Sequence, residues 1–253
     1  MSASSLIFAT ARAILPASLR RSIRRQLFGR FEQIAQDADG MLTYNLYARM
    51  YEYISNEPDG GDIVEIGGAL GAGTITMALA LKESGKRGKV ITVEKMVGGS
   101  RDQYGNFQEN LARYKQNLKN WKVDDRTLLF SDWLSYENGH KVLDLVESEE
   151  LTALMCDADG LLHRDFEIFW SRLRSGGLII IDDYDPTISS KHAITYRLLS
   201  QLTEWGLFEE IELISDTIFG RKPEGGDISK LDRARCEAIV EKARADFKNS
   251  KKG

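Results

Sequence analysis

The stretch Val64-Glu65-Ile66-Gly67-Gly68-Ala69-Leu70-Gly71-Ala72-Gly73-Thr74 constrains the fold of this chain more than any other. An apolar strand pattern, Asp62–Ile66, runs straight into a glycine-rich turn. A helical pattern, Thr74–Lys82, starts after it. Glycine takes positive φ readily and lets a ligand approach the backbone. The amides of the next helix's first turn then point at whatever binds there. The spacing is E-x-G-x-x-x-G-x-G. It differs from the dinucleotide fingerprint G-x-G-x-x-G, which argues against a nicotinamide-dependent oxidoreductase. A carboxylate just before the first glycine suits a cationic ammonium better than a pyrophosphate. The alternative is a tight strand-to-helix turn with no ligand.

The rest of the chain alternates strand and helix patterns. Residues 32–58 read as one helix, with Leu42, Leu46, Met50 and Ile54 on one face. Tyr44 and Tyr47 on it either line the mouth of a site or pack in the core. Asn56-Glu57-Pro58-Asp59-Gly60-Gly61 breaks the pattern before the first strand. Further strands are expected at 89–94, 127–130, 151–156, 178–181, 208–214 and 217–220. Helices are expected at 106–118, 140–146, 163–173, 191–205 and 227–248. Alternation of this kind predicts an α/β fold: a Rossmann-like seven-stranded sheet, mostly parallel with one antiparallel strand, and helices on both faces. An N-terminal helical extension precedes it. The expected division is an extension over 1–58, a main domain over 59–225 and a charged C-terminal helix over 226–253. Ligands of such sheets sit at the carboxyl ends of the strands.

Polar residues follow several strand ends. Glu94 ends the second strand, 27 residues after Gly67. An acid there accepts hydrogen bonds from both ribose hydroxyls in nucleotide-type folds; the alternative is an exposed charge beside Lys95. Asp132, in Ser131-Asp132-Trp133, can accept from an adenine amine or simply face water. The glycine-rich loop from Met96 to Gly105 either closes over a cofactor or acceptor, or is an ordinary surface loop. The glycine loop resembles the cofactor loop of class I S-adenosylmethionine (SAM)-dependent methyltransferases. That resemblance implies SAM as cofactor, contacted by Glu65, Gly67, Gly68, Gly71, Gly73, Glu94 and Asp132, with Glu65 near its amino group.

Asp157-Ala158-Asp159-Gly160 and Ile181-Asp182-Asp183-Tyr184 form a second constellation. Both follow apolar strands that should be neighbours, so up to four carboxylates converge. Carboxylates at close range repel and bind protons unless a cation compensates. An all-oxygen cluster suits Mg²⁺ or another hard divalent cation; the alternative leaves Asp159 and Asp183 as turn residues facing water. Met155-Cys156-Asp157-Ala158-Asp159-Gly160, with Leu173-Arg174-Ser175-Gly176-Gly177 and the DDY turn after it, resembles the D-G-D … L-x-x-G-G-x-x-x-x-D-D-Y pattern of macrocin-type sugar O-methyltransferases. Ala158 replaces the middle glycine. The likeness covers roughly residues 40–222 and implies Asp157, Asp182 and Asp183 as metal ligands. Related enzymes often place a His or Lys three residues after the first metal aspartate as general base. That position is Gly160 here. Asp159, His163 and His192 are the candidate substitutes, with Asp157 itself part of the catalytic set. A metal that acidifies the acceptor hydroxyl would make a strong base unnecessary.

Composition narrows the rest. At 253 residues, 42% hydrophobic and 28% charged, the chain has the make-up of a globular protein with a full core. A net charge of -4 and the lack of an N/D-P-P-Y/W motif argue against nucleic acid as partner. Two cysteines, Cys156 and Cys236, form no disulfide framework, and Cys156 reads as a buried, inert thiol. No run of 18 apolar residues exists to span a membrane. A cytoplasmic location is expected, with membrane association left open. Residues 1–31 hold six arginines and no acid, with Leu15, Leu19, Ile23 and Leu27 on one helical stripe. This segment reads as a helix packed on the domain or on a second subunit, as a peripheral membrane contact, or as a transit peptide. The expected function is SAM-dependent, Mg-assisted O-methylation of a sugar, glycan intermediate or small natural product. The alternatives are a metal-independent methyltransferase and a non-catalytic SAM-binding protein of the same fold. Homo-oligomers are common among such enzymes and are expected as one option here.

Overall fold

A computed structural model of the chain describes residues 29–250. The arginine-rich segment, up to residue 28, lies outside the described residues. Helix α1 covers residues 29–37, and α2 covers Tyr44–Asn56. The expected single helix over 32–58 is therefore two. Asp39 has φ +45°, which ends α1, and the chain bends through residues 38–43. Gly40 occupies the bend because a Cβ there would lie 2.5 Å from the Tyr47 hydroxyl and 2.9 Å from Ala72 Cβ. Leu42 consequently leaves the helical face, while Leu46, Met50 and Ile54 stay buried on it.

The sheet follows: β1 (Asp62–Ile66), β2 (Val90–Val93), β3 (Thr127–Phe130), β4 (Leu151–Cys156), β5 (Leu173–Ile181), β6 (Glu209–Ile214) and β7 (Thr217–Arg221). The strand order is β3-β2-β1-β4-β5-β7-β6. β1 to β5 are parallel to one another, and β7 is antiparallel to both β5 and β6. The expected Rossmann-like sheet is thus the observed one. Strand order reverses between β1 and β4, which opens a crevice at their carboxyl ends. β5 begins five residues earlier than its apolar run and carries Gly176 and Gly177 within it.

The remaining helices are α3 (Ala72–Glu83), α4 (Phe107–Asn120), α5 (Gly139–Leu143), α6 (Leu162–Phe169), α7 (Ser190–Glu204) and α8 (Arg233–Ser250). Strand side chains alternate between faces. Ile63, Val90, Met155, Ile180 and Phe219 pack with α1 to α4. Val64, Ile91, Cys156, Ile181 and Ile218 pack with α5 to α8. The charged C-terminal helix is part of this second layer, where Cys236, Val240 and Ala243 are buried. Cys156 is buried too. Among the described residues no helix is long and apolar enough to cross a membrane.

Candidate active site

Register builds the site. Ile66 is level with Val93 and with Cys156, Val93 with Phe130, and Cys156 with Ile181. The residues that follow, Gly67, Glu94, Asp157 and Asp182, therefore emerge in one row along the crevice. Gly71, at φ +99°, caps α3 directly behind the glycine turn. A Cβ on Gly67 would strike the Asp157 carbonyl, and one on Gly73 would strike the Glu65 carboxylate. The loop is thus packed from beneath and bare only on its outer side. A small cavity there is bounded by Gly40, Met41, Tyr47, Gly67, Ala69 and Asp157. Tyr47, not Tyr44, is the tyrosine that borders it.

Glu65 lies under the loop, 1% exposed. Thr92 Oγ1 donates to its Oε2 at 2.9 Å, and Thr74 Oγ1 donates to the same oxygen. Burial pushes its carboxyl up to about 7; the two threonine bonds oppose the shift, and Asp157 and Glu94 add to it. Glu94 is 2% exposed and fully engaged. It accepts from the backbone N–H of Ala69 at 2.8 Å and of Met96 at 3.0 Å. Arg101 forks onto both its oxygens, at 3.0 and 2.8 Å. Sequence reasoning missed Arg101. The glycines around it pointed only to a bend, and the partner lies seven residues back. Asn110 Nδ2 reaches the carbonyls of Met96, Arg101 and Gly105 and ties this loop to α4.

A cavity of about 210 Å³ lies beside Glu94, bordered by Arg101, Asp132, Trp133, Asp159 and Arg164. Asp132 accepts from the Trp133 N–H at 2.7 Å. The Trp133 ring is exposed, with Lys95 Nζ 4.6 Å from its centre. A second cavity, of about 290 Å³, is bordered by Met41, Arg101, Asp157, Asp182, Asp183 and Asp216, with Lys191 among them. The acids of these two strand ends do converge: Asp157, Asp182 and Asp183 offer oxygens within 4.8 Å of one another.

The cluster contains a cation that the sequence did not announce. Lys191, in the first turn of α7, places Nζ 3.1 Å from Asp157 Oδ1 and in contact with Asp183 Oδ2. Burial works to lower the lysine's pKa, but the charges of Asp157 and Asp183 outweigh it and raise it. Thr217, opposite the end of β5, donates to Asp182 Oδ1. Burial, then the charge of Asp157, pushes Asp182 up to about 8. Burial likewise raises Asp157 to about 6, against the pull of Lys191. His192 joins the cluster: Nε2 lies 2.9 Å from Asp183 Oδ1 and 3.8 Å from Asp216, and Nδ1 lies 2.7 Å from Ser189 Oγ.

Two of the expected bases are elsewhere. Both oxygens of Asp159 are held by Arg164, at 2.7 and 3.1 Å, so the carboxylate faces the cavity beside Glu94 and not the cluster. His163 is 4% exposed at the start of α6, with Arg233 and Glu237 of α8 among its charged neighbours. Burial, reinforced by Arg164, lowers its pKa to about 4, which keeps it neutral. Its place after Gly160 gave no sign that α6 turns it into the α8 interface.

Residues 64–184 match the family model described as a methyltransferase domain. Solved structures share the fold. Rv0187 from MTB, cofactor-bound, aligns with a TM-score of 0.61 at 14% identity, over 83% of this chain and 98% of that one. An O-methyltransferase from Bacillus cereus in complex with SAH (S-adenosylhomocysteine) gives 0.58 at 14%, over 87% and 97%. The O-methyltransferase TomG from Streptomyces achromogenes, involved in tomaymycin synthesis and solved with SAM, gives 0.57 at 12%, over 87% and 96%. Among curated proteins none matches the chain significantly. Domain match and fold agree: residues 64–184 match a methyltransferase domain, and they lie within the Rossmann-like seven-stranded sheet that these solved structures share.

The pocket fits SAM in its own terms. It has a glycine floor with no room for Cβ atoms, a small cavity on one side and a larger one on the other, beside an acid and an exposed indole. The fit to a divalent cation is different. The donor set is of the right chemistry, but an ammonium already bridges two of its three carboxylates.

Proposed function

We propose that the protein transfers the methyl group of SAM to a hydroxyl of a small polar acceptor: a sugar, a glycan intermediate or a natural product. One observation carries this reading. Asp157 borders both the small cavity at the glycine loop and the cavity of the acidic cluster, so cofactor and acceptor spaces meet at one carboxylate. When bound, SAM supplies a methyl on a sulfonium sulfur; the S–C bond breaks as the O–C bond forms, leaving a thioether and an acceptor proton to be removed.

The chain's residues position and stabilise. Gly67, Gly68, Gly71 and Gly73 let the cofactor lie against the backbone. Glu65 supports the loop from below and biases its inner side toward a cationic group. Glu94 takes the ribose hydroxyls once Arg101 releases it, and Asp132 faces the adenine. Asp157 takes the acceptor proton from its place at the junction, and His192 steadies Asp183. Held in line, the two reactants gain roughly 7–11 kcal/mol from orientation alone.

The second reading adds Mg²⁺ or another divalent cation on Asp157, Asp182 and Asp183. It is favoured by the spacing of these oxygens within 4.8 Å, and it requires the Lys191 ammonium to leave. Bound there, the ion would polarise the acceptor oxygen.

Calorimetric titration of SAH into the purified protein tests the function. Saturable binding is the expected result, and its absence would overturn the reading. Asp182→Ala should then lower turnover by at least about 100-fold, equivalent to ~2.7 kcal/mol, with SAH affinity close to wild type. Equal loss of both would remove the role given to the cluster. Binding of SAH without turnover on any sugar or catechol acceptor would favour the non-catalytic alternative.

A further inference from the structure

The acidic cluster needs a positive charge, and the chain supplies one. Lys191 Nζ lies between Asp157 and Asp183. Asp182 is satisfied by the Thr217 hydroxyl, and Asp183 also by His192. Each carboxylate therefore has a partner from the protein itself. We propose that Lys191 is the resident cation of this site, standing where a divalent ion would otherwise bridge Asp157 and Asp183, and presenting an ammonium to the acceptor oxygen.

Three independent features support this. The first is Gly160. It has φ +77°, and a Cβ there would lie 2.7 Å from Thr195 Oγ1 and 3.1 Å from the Lys191 carbonyl. Helix α7 thus packs directly against residue 160, leaves no room for a side chain there, and delivers its own lysine to the cluster from that helix. The second is the location of Lys191 in the first turn of α7. A cation is disfavoured at a helix N-terminus by the helix dipole, so the two carboxylates, not the helix, account for its position. The third is Asp183, whose φ of +62° is a left-handed conformation that a non-glycine residue adopts at a cost. That backbone turns its carboxylate onto Lys191 and His192.

The proposal deepens the methyltransferase reading by changing what the acceptor must offer. A metal invites two neighbouring oxygens, as in a catechol or vicinal diol. An ammonium has three N–H donors, and with Asp157 and Asp183 taking two, one is left for the acceptor. A single hydroxyl, without a chelating neighbour, then suffices.

The test uses Mn²⁺ alone as probe, by electron paramagnetic resonance, on the full chain. Wild type and Lys191→Arg should leave Mn²⁺ free. Lys191→Ala and Lys191→Met should take up one ion per chain, at least about tenfold more tightly than wild type, a difference of ~1.4 kcal/mol. Asp182→Asn in the Lys191→Ala background should abolish that uptake. Stoichiometric Mn²⁺ binding by wild type, lost in Asp182→Asn and unaltered in Lys191→Ala, would overturn the proposal. So would absence of uptake in folded Lys191→Ala. If neither lysine variant folds, the wild-type titration decides alone: tight binding refutes a resident ammonium, and free Mn²⁺ upholds it. SAH titration of the same samples reports on the methyltransferase reading separately, because the Mn²⁺ result does not depend on cofactor or turnover.

Discussion

Glu65 shows how much one residue's role depends on what surrounds it. Its place before Gly67 marks it in the sequence as part of the loop. Its burial under α3 and its two threonine partners belong to the tertiary structure. Its folded pKa, about 7, exceeds the ordinary carboxylate value of 4.5. Between those limits the folded state holds more proton than the unfolded chain, so this group's contribution to stability falls as pH rises from about 4.5 through about 7. The full effect is on the order of 3 kcal/mol. Glu65→Gln should flatten this part of the stability profile, measured by urea denaturation at several pH values. An unchanged profile would mean that Glu65 is not the titrating group. Arg101 makes the complementary point. Glu94 was legible as a strand-end acid, yet its saturation by Arg101 depends on a loop conformation that Asn110 imposes from another helix.

Elements decide which polar residues meet. The strands were legible because apolar runs and turn residues alternate clearly, and parallel register then aligns their ends. The helix over 32–58 was not, because its apolar period continues through Leu42 while the break at Asp39 and Gly40 answers to Tyr47 and Ala72. The lack of a side chain at residue 160, in the loop after β4, is likewise a matter of packing. Gly160→Lys would restore the sequence pattern expected from related enzymes. It should nonetheless cost about 1–3 kcal/mol of stability, read as a lower unfolding midpoint, because the left-handed backbone and the close approach of α7 leave no space for the side chain. A variant as stable as wild type would show that the loop can reorganise away from α7.

At the scale of the whole molecule, one buried acid connects the helical extension to the sheet. Glu57, at the end of α2, is 4% exposed. It pairs with Arg174 in β5 and, at 2.7 Å, with Arg221 in β7. Glu57→Ala leaves two arginines facing an emptied site and should cost about 3–5 kcal/mol. Because α2 also carries Tyr47 to the glycine loop, SAH affinity should fall with it. Loss of stability with unchanged affinity would separate α2 from the cofactor site. The sequence by itself determined the class of sheet, the glycine loop and the acids at its strand ends, since those follow from local periodicity and from residues that only certain turns accept. The tertiary structure alone decided which acids are free and which are paired. Arg101, Arg164, Lys191 and Thr217 reach their partners across loops and helices, and the energy of a charge depends on the neighbours that burial brings to it.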